Sequence, residues 1–153
     1  MKLYSLLLLV HVLGVIVWVG GMWVMHVAVR PAAVALLAPA QRLPLLADVL
    51  ARFFFWVAIA IGLILASGVA MILGAGGVTG LHPSVHAMTA LGLVMMAIFA
   101  HLRLALFKPL QLAVGAQDLP LAAAKLDQIR QRVALNLVLG LITTAVAIVG
   151  RAF

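Results

Sequence analysis

Apolar residues fall along this chain in long unbroken runs, and whole helical turns carry no polar side. A hydrocarbon layer of ~30 Å takes ~20 apolar residues to cross as a helix. Leu3 to Val29, Phe53 to Leu73, Val85 to Phe107 and Val133 to Val149 meet that length or approach it. The pattern predicts an all-α integral membrane four-helix bundle, a single transmembrane domain over 1–153. The fourth helix is expected to begin upstream near Pro120, with Asp118 as its cap. Its first turns hold Lys125, Asp127, Arg130 and Arg132 and would stand outside the lipid, and Pro44 to Arg52 would likewise prefix the second span. The run after Met1 and Lys2 outlasts a signal-peptide core and lacks a small-residue cleavage site, so it reads as a retained span.

Composition agrees with a lipid solvent: 67% of residues are hydrophobic and 8% charged. With no cysteine, neither a disulfide framework nor a thiolate metal site is on offer. A net charge of +7 in a soluble chain would suggest nucleic acid, but its placement argues for topology instead. Arg30, Arg42 and Arg52 lie in the first connection, and Arg103, Lys108, Lys125, Arg130 and Arg132 flank or fill the third. Gly74 to Ser84 has no basic residue, and the termini hold only Lys2 and Arg151. Basic residues mark the cytoplasmic side, which sets both termini outside, in the periplasm if this is a bacterial inner membrane.

Ionisable side chains inside spans need a reason, and His11 and His26 on the first span and His86 and His101 on the third are four of the five histidines. Each pair is 15 residues apart. That spacing is about four turns plus ~60° and rises ~22 Å, so each pair lies roughly on one face with a ring near each leaflet. The first and third spans run in the same direction, which matches His11 in height with His86 and His26 with His101. Two stacked couples of neutral imidazoles are what two b-type haems take as axial ligands, an arrangement similar to that of respiratory cytochromes b. Gly14, Gly20, Gly21, Ala90, Ala97 and Ala100 lie near those faces and leave room for a flat macrocycle. His11, His26, Arg30, Pro31, Arg52 and Gly62 recur as His86, His101, Lys108, Pro109, Arg130 and Gly140, the pattern of two tandem helix hairpins.

His11, Trp18, Gly20, Gly21 and Arg30, then Arg52 to Trp56 (Arg-Phe-Phe-Phe-Trp), then His86 resemble the CopD-type copper-resistance membrane proteins. The related HemJ family of protoporphyrinogen oxidases is also similar, although a lysine of that family falls where this chain has Met88. The resemblance implies copper uptake or resistance in the first case and porphyrinogen oxidation in the second.

Each feature also has a plainer reading. A histidine within a span can serve only as a hydrogen-bond partner for a neighbouring helix. If one haem is held and not two, His11 and His86 are its ligands. His82 is expected in solvent on the outer loop. Met22, Met25, Met71, Met88, Met95 and Met96 lie in spans, where thioether and imidazole together suit Cu(I), while methionine is also ordinary apolar filler. Met22, Met25 and His26 form the best copper set. Arg30, Arg52, Arg103 and Arg132 can pair with haem propionates or with anionic lipid. Asn136 reads as a helix-to-helix hydrogen bond. No phosphate loop, catalytic triad or intramembrane carboxylate occurs, since Asp48, Asp118 and Asp127 all lie in the basic connections. The leading expectation is a membrane b-type cytochrome with a quinol, a small oxidant or a periplasmic redox partner. A copper-handling protein and a porphyrinogen oxidase are the alternatives.

Overall fold

The four apolar runs fold as four long helices in the computed structural model, which describes residues 2–150 and contains no strand among them. They are α1 (Lys2–Leu36), α2 (Pro39–Gly74), α3 (Pro83–Gly115) and α4 (Leu119–Val149), each long and apolar enough to cross a membrane. Arg151 lies outside the described residues.

Each connection is set by local backbone chemistry. Leu37 and Ala38 are extended, with ψ of 137° and 153°, and at Ala38 the ring of Pro39 disfavours the helical conformation in the residue before it. His82 is held at ψ 141° ahead of Pro83 for the same reason. Between α3 and α4 the chain turns through Gln117 in the left-handed region (φ 56°), and the Asp118 carboxylate accepts from the Leu121 N–H at 3.0 Å, the expected cap. Connections this short make α1 with α2 and α3 with α4 antiparallel hairpins.

All four helices extend past the expected spans at one end of the bundle, the end that holds the basic connections. There α1 runs on to Leu36 and α3 to Gly115, while α2 begins at Pro39 and α4 at Leu119. Hydropathy marks only what lipid covers, whereas these turns are amphipathic and bury one face against each other. Leu43, Leu46, Leu50, Leu110, Ala122 and Ile129 are buried there in the protein itself. Below this collar an aromatic cluster joins three helices. Phe54 of α2 meets Phe107 and Phe99 of α3 edge-on at 5.2 and 5.7 Å, and Trp18 of α1 meets Phe99 at 6.4 Å. Toward the other end the packing loosens: no residue of 2–13, 85–94 or 141–149 is buried.

Three short π-helical segments interrupt the α-helices, at Ile16–Gly20, Met25–Val29 and Leu102–Leu106. The last two fall just before Pro31 and Pro109. A proline in a helix lacks the N–H and its ring presses on the carbonyl four residues back, and a widened turn relieves that pressure. The repeat seen in the sequence therefore has a backbone counterpart.

The outer surface is apolar, with Leu6, Ile16, Phe55, Leu63, Leu93 and Ile148 among many large exposed side chains. Only lipid can cover such a surface on a bundle whose backbone polar groups are satisfied within helices. This is a multi-pass membrane protein.

Close approach rests on particular glycines. A Cβ at Gly140 would lie 2.9 Å from Val19 of α1 and 3.1 Å from Met95 of α3, whereas one at Gly62, its counterpart in the repeat, would meet nothing within 4 Å. Gly140→Leu should lower unfolding stability in detergent by about 1–3 kcal/mol through overpacking. Gly62→Ala should leave the unfolding midpoint unchanged, and equal effects of the two would contradict this packing.

Candidate functional site

Ser67 lies on the buried face of α2, 2% exposed. Its hydroxyl donates to the Leu63 carbonyl at 2.6 Å, so its oxygen is left as an acceptor toward α1. His11 Nδ1 is 3.1 Å from that oxygen, and with the hydroxyl proton already committed the ring must be the donor. The neutral imidazole is thereby held as the Nδ1–H tautomer, with an unshared electron pair on Nε2. The ring lies beside Gly68, where a Cβ would be 3.4 Å from His11 Cε1, in ordinary contact. Metal-bound histidines are ordinarily arranged in this way, with the second nitrogen donating to a fixed acceptor.

The other histidines are placed differently. His26 falls in the π segment Met25–Val29, and with Met25 it lines a crevice between α1, α2 and α4. His86 and His101 lie on the exposed surface of α3. The hydrogen bond of His11 thus goes to α2, His26 faces α2 and α4, and the aromatic contact between α1 and α3 is that of Trp18 with Phe99. His82, expected to be merely solvated, has a structural task. Its Nδ1 accepts from the Ser84 N–H at 3.3 Å and lies 2.9 Å from the Ser84 hydroxyl, capping α3. The signal in the sequence was its place just ahead of Pro83. Among the described residues no three of His, Cys, Asp or Glu gather in a metal-sized group.

The methionines are divided between the core and the crevice. Met22 and Met95 are buried, 2% and 3% exposed, and pack in the core. Met25 lines the crevice beside His26, so the set Met22, Met25 and His26 is split. Met71 stands one helical turn from Ser67, on the face of α2 that carries it.

The arginines expected to share a task also separate. Arg52 pairs with Asp48 at 2.9 Å on the surface, and the Arg103 guanidinium sits 5.2 Å from the centre of the Phe107 ring. Arg30 lines the crevice, joined there by Arg42 and Arg130. Arg130 is held by Asp127 at 2.7 Å, and this hydrogen-bonded pairing keeps the Asp127 carboxyl below its ordinary pKa. Asn136 is 1% exposed, and its Oδ1 has no partner among the described residues, so the expected bond to another helix is not made by that oxygen.

An apolar bundle of four membrane-length helices defines the class: a small α-helical membrane protein. Residues 47–150 match the family model described as copper resistance protein D, and the chain belongs to this CopD family. The match takes in most of α2 and all of α3 and α4, and α1 with His11 and His26 lies outside it. No curated protein and no solved structure matches the chain.

Ser67→Ala removes the acceptor that selects the His11 tautomer. Nitrogen NMR of labelled histidine should then show His11 as a mixture of tautomers, with about 1 kcal/mol of stability lost. A single Nδ1–H form persisting in that variant would mean that another group orients the ring.

Proposed function

We propose that this protein handles copper within the membrane, as the name of its family suggests, and that His11 Nε2 is the first ligand the ion meets. The observation that carries this reading is the hydrogen bond from His11 Nδ1–H to Ser67, which leaves Nε2 unprotonated. Cu(I) favours imidazole and thioether donors, and Met71 is the thioether nearest along α2 to the residue that orients His11. The absence of a carboxylate from the apolar part of the spans disfavours harder cations, since Asp48, Asp118 and Asp127 belong to the basic end. Copper is here the cargo. A ligand set of one imidazole and one thioether is weak enough to release it again, which suits uptake or export better than storage.

The same unshared pair is what a b-type haem takes as an axial ligand, which keeps a membrane cytochrome as the second reading. In that case haem b would be held by His11 with His86, a second haem by His26 with His101, and electrons would come from a quinol or a periplasmic partner. The fit is partial: His11 is oriented for it, while His86 and His101 lie on the exposed side of α3. The bound group would supply one-electron chemistry, and this chain's part would be to orient the imidazoles.

Competition with a colorimetric Cu(I) chelator in detergent should give one Cu(I) per chain, lost in His11→Ala and weakened roughly 10- to 100-fold in Ser67→Ala. Copper binding unaffected by His11→Ala would refute the assignment. Sharp reduced visible bands in the purified protein, removed by both His11→Ala and His86→Ala, would decide for haem instead.

A further inference from the structure

The basic end of the bundle holds a crevice that the copper reading does not use. One part, about 180 Å³, opens between the end of α1 and the first turns of α2 and α4, where Arg30 and Arg42 line it with Asp127. It shares Arg30, Leu46 and Leu126 with a second, narrower crevice whose lining is mainly apolar, with Leu50, Ile129 and Val133 beside His26 and Arg130. Charge within it is unbalanced. Asp127 is bonded to Arg130 and to Gln131, at 2.7 and 2.9 Å, and also feels the charge of Arg30, while Arg30 and Arg42 make no ion pair or hydrogen bond among the described residues.

Two unpaired guanidinium groups above an apolar slot complement an amphiphile with an anionic head. We infer that this crevice binds an anionic phospholipid, its phosphate between Arg30 and Arg42 and an acyl chain along Leu46, Leu126 and Ile129. Guanidinium pairs match phosphate oxygens in geometry as well as charge, and the Asp127 carboxylate in the same crevice is paired with Arg130. The location suits such an occupant, because the collar is where the helices leave the hydrocarbon and headgroups gather. An inorganic anion would use the two arginines and leave the apolar slot uncovered.

Native mass spectrometry of the full chain in detergent, given equal amounts of phosphatidylglycerol and phosphatidylcholine, tests the site. Phosphatidylglycerol should be retained preferentially, and Arg30→Gln and Arg42→Gln should each weaken its binding roughly five-fold. Ala123→Phe, which fills the crevice from α4 without changing charge, should block retention too, and so covers the case in which an arginine variant fails to fold. Arg132→Gln, on the exposed side of α4, should have no effect. Equal retention of the two lipids, unchanged binding in Arg30→Gln/Arg42→Gln, or full displacement of the lipid by millimolar inorganic phosphate would overturn the proposal.

Discussion

Inside a bilayer an imidazole N–H has no water to bond, and a helix that carries one must supply a partner from a neighbour. The contact of His11 with Ser67 meets that requirement, and much else follows from it. It sets the register of α1 against α2 near Gly14, where a Cβ would meet Ile64 at 2.8 Å, so the two backbones must approach closely. With its own proton committed to Leu63, Ser67 can meet His11 only as an acceptor. A structural bond made to avoid an unsatisfied donor thereby leaves the other ring nitrogen with an unshared electron pair.

The bundle divides its labour along its length. At the basic end the helices project past the lipid and hold each other through leucines and the Phe54, Phe99 and Phe107 cluster, much as a small soluble bundle would. At the other end few side chains are buried, Ser67 and Ser84 among them, and much of each helix faces lipid.

Proline placement gives the two halves a common backbone form. Pro31 and Pro109 each follow a widened turn, and in each case the helix continues beyond it into the collar. The turns aim the collar helices onto α2 and α4, so that Arg30 reaches the crevice while Arg103 lies over Phe107. Two halves alike in backbone thus place their basic side chains in different surroundings.

The number of helices, their membrane setting and the caps at Asp118 and Pro120 were legible in the sequence, because they depend on run length and on residue chemistry within a few positions. The repeat was legible too, from His11, Arg30 and Pro31 against His86, Lys108 and Pro109. The continuation of α1 to Leu36 and of α3 to Gly115 was not, since the collar turns are amphipathic and bury their apolar faces in protein, which a hydropathy run cannot distinguish from a solvated loop. Nor could spacing tell which neighbour each histidine faces. Matched heights on α1 and α3 follow from a 1.5 Å rise per residue, but the direction of a ring around the helix axis depends on packing, and only the tertiary structure turned His11 toward Ser67 and left His86 outside.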